Sequence, residues 1–266
     1  MRRLVLAMFC LGALHSAHAA TPVSGRDQHM LFARDQVQHV AAAAYQHKLA
    51  QLADAGMLDT DTAALARVRR VCAHLIPQAV RMKPEAAAWS WEVHVTSDPE
   101  VAAFSMAGGK LLVGTHFIND YRLTDAELAV ALAHEMGHVI AEHVREQLSV
   151  AASFNPPPPH MTRTVTDVIN SMESDISVYL RLQPLSRLQE MEADDIGVEL
   201  AARAGTAPTA IKSFYRKIAS ADDGQSILDT HGSSRQRVIF VTNMANYAQA
   251  SYNASLHQPL PVYTFR

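Results

Sequence analysis

The sequence is poor in cysteine, in aromatic residues and in charge of either sign. Two cysteines occur in 266 residues, Cys10 and Cys72. Cys10 falls within an amino-terminal leader pattern, so a processed chain carries Cys72 alone and has no intrachain disulfide. The cysteine count thus neither favours nor opposes export. Aromatic residues make up 6% and charged residues 18%, and the formal net charge is -3 with the 14 histidines neutral. No basic cluster stands out, which excludes the electrostatic footprint of a nucleic-acid binder. Beyond the leader, no apolar run approaches the roughly 20 residues that cross a bilayer. No internal repeat is visible. The 48% of hydrophobic residues is an ordinary globular share, enough to bury a core.

The leader pattern comprises Arg2 and Arg3, the apolar run from Leu4 to Leu14, and Ala17-His18-Ala19, a small-x-small cleavage site. Cleavage is expected after Ala19, leaving residues 20–266 as a single domain in a periplasmic compartment. The alternative is a leader retained as a membrane anchor.

Residues 26–56 are rich in alanine and read as one long helix ending near Gly56. Asp59-Thr60-Asp61 can cap a second helix to about Ile76, with Pro77 just beyond. Trp89 to Thr96 alternates apolar and polar residues, the strand period. Val101–Met106 and Lys110–Thr115 are two further strand-like runs around the turn signal Ala107-Gly108-Gly109. A three-stranded meander is the economical reading. Thr124-Asp125-Ala126-Glu127 is a capping box that opens a helix to about Leu148. Asn155 and the four prolines after it break regular structure, and residues 160–183 carry only a weak helical pattern. Helices are expected from Ser186 to Ala204, from Pro208 to Ser220 and from Ser234 to Ser251, with a turn at Asp222-Asp223-Gly224.

The helix opened by Thr124 contains His134-Glu135-Met136-Gly137-His138. Residues four apart lie on one helix face, so His134 and His138 present two imidazoles side by side, as a metal ion requires. Glu135 follows the first ligand and can reach a water on that metal as general base. Gly137 is expected to leave room beside the metal. A catalytic zinc takes three protein ligands and keeps one open position. No third histidine stands at the extended spacing, and His143 is expected to point away from the pair. The better candidate is Glu190 in Glu190-Met191-Glu192-Ala193-Asp194, where Glu190 and Asp194 share one helix face. Glu190 can bind zinc while Asp194 holds the second ring nitrogen of a ligand histidine. Glu192 is expected to point elsewhere. The alternative for this acidic run is a solvated helix face.

His-Glu-Met-Gly-His followed by Glu-Met-Glu-Ala-Asp resembles the HtpX, BepA and CAAX-prenyl-protease group of gluzincin endopeptidases. Ala103 to Gly109 resembles the family's Asn-Ala-Phe-x-x-Pro-Gly-Gly strand, with Ala102 and Ala107 replacing Asn and Pro. Pro184-Leu185-Ser186-Arg187 resembles its Tyr-Ser-Arg element, with Leu185 replacing the aromatic residue. Thr230-His231-Gly232 through Arg237 resembles its Thr-His-Pro element, with Gly232 replacing Pro. The resemblance covers about residues 70–250.

It implies an α+β, mostly helical zincin-like domain with a small three-stranded sheet beside the motif helix. It implies one Zn2+ on His134, His138 and Glu190, Glu135 as catalytic base, and Asp194 behind a ligand. It places His231 near the metal, where it either stabilises the oxyanion or binds zinc and holds the enzyme off. Arg237 pairs with an acidic residue near the site or binds substrate. The strand holding Phe104 and the Gly108-Gly109 turn form a sheet edge to which a substrate peptide can add itself. Residues 150–183 are a candidate lid or plug. The implied activity is zinc-dependent endopeptidase cleavage of exported or misfolded envelope proteins, in quality control. The implied partners are unfolded or misassembled proteins, with peripheral contact to envelope machinery. The rival readings are a chaperone-like binder with latent proteolysis and a structural zinc protein with four closed ligands.

Overall fold

The computed structural model describes residues 17–20, 25–154, 156–158, 160–220 and 235–265. Ten α-helices, one short 3-10 helix (Pro84–Ala88) and two small sheets are described, and helices dominate. The amino-terminal part contributes β1 (Ala17–Ala20), β2 (Asp27–Met30), α1 (Arg34–Asp54) and α2 (Thr62–Met82). A three-stranded sheet follows, made of β3 (Glu92–Thr96), β4 (Ala103–Met106) and β5 (Lys110–Gly114). After it come α3 (Thr115–Asp120), α4 (Asp125–Ile140), α5 (His143–Phe154), α6 (Val165–Ser174) and α7 (Ile176–Arg203). The chain ends with α8 (Pro208–Ser220), α9 (Arg235–Tyr247) and α10 (Gln249–Ser255). Among the described residues, no helix is long and apolar enough to cross a membrane. The expected turn at Asp222-Asp223-Gly224 lies outside the described residues. The expected cleavage point after Ala19 falls inside β1, so the antiparallel β1–β2 pair belongs to the uncleaved chain.

Helix α4 is the axis of the fold. Its capping box forms as the sequence predicts: Glu127 N–H donates to Thr124 Oγ1 at 3.2 Å, and Thr124 N–H donates to Glu127 Oε2 at 2.9 Å. The same carboxylate accepts from Ser213 Oγ at 2.8 Å and Lys217 Nζ at 2.7 Å, which ties α8 to the start of α4. Nearly every residue of α4 from Glu127 to Ile140 is buried. A helix apolar on all sides belongs at the centre of a core, and α2, β4, α7 and α8 surround it.

Three elements depart from the sequence reading, each for a physical reason. Pro77 lies inside α2 instead of ending it. A helical proline leaves the carbonyl four residues back without its donor. Here Tyr263 N–H donates to Ala73 O at 2.8 Å, so the carboxy-terminal tail supplies the missing bond. The sheet is not a meander. Its order is β3-β5-β4, with β3 parallel and β4 antiparallel to β5. Leu111, Leu112 and Val113 are buried on both faces, so β5 takes the centre and β4 is left at an edge. Helix α7 begins at Ile176, ahead of Pro184, with Asp175 capping Ser177 N–H. The carbonyl that Pro184 orphans belongs to Leu180, which is 61% exposed and open to water.

The motif helix also stops sooner than expected. Glu142 takes a left-handed backbone, φ 55°, and separates α4 from α5. Its carboxylate is buried between Lys83 Nζ at 2.6 Å, an Arg34 guanidinium nitrogen at 2.8 Å and Arg145 Nη1 at 2.9 Å. Burial alone would raise its pKa, but these three cations outweigh burial and hold it down to about 2. A carboxylate with a depressed folded pKa stabilises the fold above its unfolded pKa, near 4.5, and loses that stabilisation as pH falls toward 2. Glu142→Gln is therefore expected to lower stability at neutral pH and to flatten the loss between pH 4.5 and 2. Urea unfolding at several pH values checks this; an acid slope equal to that of the parent chain would refute it.

Within residues 150–183, α6 and the start of α7 pack into a second, smaller core. Val165, Val168, Val178 and Leu182 bury themselves against Leu148 and Ala151 of α5 and Val37 of α1. The segment that is the candidate lid or plug thus contains a packed helical pair joined to α5 and α1.

Candidate metal centre

Two helices supply the donor set. His134 and His138 lie one turn apart on α4, and Glu190 faces them from α7. The two Nε2 atoms are 3.2 Å apart. Glu190 Oε2 is 3.4 Å from His134 Nε2, and Glu190 Oε1 is 3.4 Å from His138 Nε2. A tetrahedral zinc with bonds of about 2.0–2.1 Å places neighbouring ligand atoms about 3.3–3.4 Å apart. The donor set therefore fits zinc in both chemistry and spacing. Among the described residues this is the one group of three that could hold a metal ion.

What sets this spacing is the contact between the helix backbones. A Cβ on Gly137 would stand 2.7 Å from Ala193 O, and a Cβ on Gly197 would stand 2.9 Å from the backbone of His134. Neither approach leaves room for a side chain. Gly137 faces α7, not the metal position, which corrects the expectation that it leaves room beside the metal. It leaves room for the second ligand helix.

Asp194 is fully buried behind the first ligand, with Oδ1 2.9 Å from His134 Nδ1. Arg237 of α9 grips it by two bonds, Nε to Oδ2 at 2.6 Å and Nη2 to Oδ1 at 2.7 Å. Tyr215 OH of α8 donates to Oδ1 at 2.6 Å. Burial would push the Asp194 pKa up, but the guanidinium outweighs it and holds the carboxyl below its usual range. Burial likewise lowers His134, while Asp194 and Glu190 more than compensate and lift it to about 9. This pocket attracts a cation, and a metal ion competes with the proton for the same nitrogen.

Arg237 is 7% exposed, and its Nη1 lies 3.5 Å from Glu190 Oε2. It braces the ligands from behind by pairing with acidic residues of the site, the first of the two expectations for it. Glu135 is 2% exposed. Ser105 Oγ of β4 lies 2.9 Å from both Glu135 Oε2 and Glu135 O, so the sheet edge and the motif glutamate are in direct contact. Successive strand residues face opposite sides. Ser105 therefore faces the site, while Phe104 packs away from it with Tyr45, Leu49 and Leu112.

Gly108 and Gly109 have φ of 84° and 83° and make the tight turn between β4 and β5. A Cβ on Gly109 would strike the Trp91 ring at 2.8 Å, so this glycine serves packing. Gly108 joins Val37, Trp89, Met106, Val139 and Val144 in lining a small cleft beside His138. His231 lies outside the described residues.

Two residues set aside on sequence belong to the site's surroundings. His143 does not point away: its Nδ1 lies 2.9 Å from His138 Nδ1. Glu192 is 5% exposed and faces His143 Nε2 at 3.3 Å. No spacing rule signals either, because the break at Glu142 is what turns His143 back toward the motif.

Two imidazoles from one helix, a carboxylate from another and a glutamate next to the first imidazole define the metallopeptidases with a glutamate ligand. The model of peptidase family M48 matches residues 62–245, more than half of the chain, and the chain belongs to that family. It is 37% identical over 151 residues to the mitochondrial metalloendopeptidase OMA1 of Arabidopsis thaliana, covering 56% of this chain and 30% of that protein. It is 25% identical over 248 residues to the mitochondrial metalloendopeptidase OMA1 of Homo sapiens, covering 84% of this chain and 45% of that one. It is 29% identical over 153 residues to the metalloprotease LoiP of Escherichia coli (strain K12), covering 56% and 59%. The chain thus spans less than two thirds of the length of these relatives.

Proposed function

We propose that this chain is a zinc-dependent endopeptidase that cleaves unfolded or misassembled proteins of the cell envelope. The observation that carries the reading is the joining of His134, His138 and Glu190 at zinc spacing, with Glu135 beside them on the edge of a sheet. The leader pattern at Arg2 to Ala19 supports an exported, periplasmic protein.

His134, His138 and Glu190 would hold the ion. Zinc supplies Lewis acidity, which acidifies a water and polarises a peptide carbonyl. Glu135 is the base that takes the proton of the attacking water and returns it to the leaving amine. Ser105 Oγ at 2.9 Å fixes the direction of that carboxylate. Strand β4 is an edge strand among the described residues, so an extended peptide can add itself to Phe104-Ser105-Met106 by main-chain hydrogen bonds. Such a peptide passes directly over Glu135. Recognition through backbone suits unfolded substrates of many sequences. The cleft beside His138, walled by Val37, Trp89 and Val144, can take one apolar side chain of the substrate.

The test is digestion of casein by the purified chain. Cleavage is expected to stop with a chelator and to return with zinc. Cleavage that persists in chelator-treated, zinc-free protein would overturn the reading.

A further inference from the structure

The two ligand histidines are held from behind in different ways. Ligand imidazoles in metal sites donate their second N–H to an acceptor, which fixes the tautomer and turns the other nitrogen's lone pair toward the metal. For His134 the acceptor is Asp194 at 2.9 Å. The group at the corresponding nitrogen of His138 is the imidazole of His143, Nδ1 to Nδ1 at 2.9 Å. His143 is 1% exposed, so bulk water does not compete for this contact.

Two neutral imidazoles facing each other through Nδ1 share one proton. If His143 carries it, His138 accepts at Nδ1, and its own proton sits on Nε2, where it blocks the metal. If His138 carries it, His138 Nε2 has a lone pair for the metal, and His143 must carry its proton on Nε2. The surroundings select the second arrangement. Glu192 Oε2 lies 3.3 Å from His143 Nε2, and an adjacent carboxylate favours a proton on that nitrogen.

Glu192 is gripped in turn by a guanidinium. Arg26, on the arm before β2, donates from Nε to Glu192 Oε1 at 2.8 Å and from Nη2 to Glu192 Oε2 at 2.8 Å. The same guanidinium donates to both oxygens of Glu146 at 2.6 and 2.8 Å. Gln189 Nε2 bonds Glu146 Oε2 at 2.8 Å and lies 3.3 Å from His143 O. These bonds fix the backbone of His143 as well as its ring.

We propose that His143 is a positioning residue for zinc: it accepts the Nδ1 proton of His138, backed by Glu192 and Arg26, and so keeps the Nε2 lone pair of His138 directed at the metal. The chain Arg26–Glu192–His143–His138 then does for the second ligand what Asp194 does for the first. It joins the half-buried Arg26 of the amino-terminal arm to the metal centre through the buried Glu192 and His143. This inference rests on the zinc reading above.

Three replacements separate the acceptor from mere bulk. His143→Asn keeps an acceptor oxygen close to where Nδ1 stands. His143→Gln places its polar atoms near Nε2 and loses the Nδ1 acceptor. His143→Leu has no acceptor at all. Zinc affinity is measured by competition with a chromophoric chelator, and the geometry of the site by the visible spectrum of the cobalt(II) form. The unfolding midpoint of each metal-free chain is measured alongside.

His143→Leu and His143→Gln are expected to bind zinc about 10–100-fold more weakly, the usual effect of losing such a partner, and to change the cobalt spectrum. His143→Asn is expected to keep the parent affinity within a few-fold and the parent spectrum. This order is expected even where the metal-free midpoints of Asn and Gln variants coincide, which removes general destabilisation as the cause. Equal binding by the parent and all three variants would overturn the inference alone. So would a loss in His143→Asn as large as in His143→Leu. A parent chain that bound neither zinc nor cobalt would overturn the zinc reading, and this inference with it.

Discussion

Glu135→Gln is expected to lower the rate of peptide cleavage by about 10²–10⁴-fold, the usual contribution of a general acid–base group. Gln keeps the length of the side chain and an oxygen for Ser105 Oγ, which now lies 2.9 Å from Glu135 Oε2. What it loses is basicity. Glu135 is not among the three donors, so zinc content should stay at one ion per chain. Metal analysis and a casein assay on the same sample read the two quantities separately. Retained cleavage would sink the proposed role of Glu135. Lost cleavage together with lost zinc would mean that Glu135 supports the metal site and is not simply its base.

The largest effect on stability is expected from Arg237→Leu. It leaves Asp194 charged and fully buried, with Tyr215 and His134 as its remaining partners. Breaking a buried pair from one side typically costs about 3–5 kcal/mol. Denaturant unfolding measures it, and added salt should alter it little, because buried pairs are poorly screened. The pair replacement Asp194→Leu with Arg237→Leu should recover much of the loss, since no buried charge is then left unpaired. Zinc affinity should not recover, because His134 Nδ1 still lacks its acceptor. A single replacement costing under about 1 kcal/mol would show that water reaches Asp194 readily.

Much of this molecule was legible from local chemistry. The Thr124–Glu127 box starts a helix in the structure as on paper, because capping is satisfied within four residues. The two imidazoles four residues apart and the Glu190–Asp194 spacing needed only the pitch of a helix. Several errors came from partners distant in sequence. Pro77 is tolerated in α2 because Tyr263 reaches back to Ala73 O, a contact that no window around Pro77 contains. The sheet order follows from burial of β5 on both faces, which depends on what packs there. His143 illustrates the point best. Five residues along an unbroken helix is about 140° of rotation, so it should face away from His138. The left-handed turn at Glu142 cancels that rotation, and three distant cations, Lys83, Arg34 and Arg145, surround its carboxylate. Ser105 was hidden for a simpler reason: alternation along β4 decides whether Phe104 or Ser105 faces Glu135, and short strands do not reveal which.

The glycine contacts between α4 and α7 bear on the order of assembly. Gly137 against Ala193 and Gly197 against His134 bring the two helices together through close backbone contact and apolar packing. The donors on α4 and the donor on α7 are therefore gathered by the same collapse that forms the core. In small zinc-dependent folds the ion must recruit its ligands from an unfolded chain, and its binding energy is spent on folding. Here that energy is left over for affinity. The connection from α5 to α7 supplies none of the three donors, so its length can change without resetting the coordination distances.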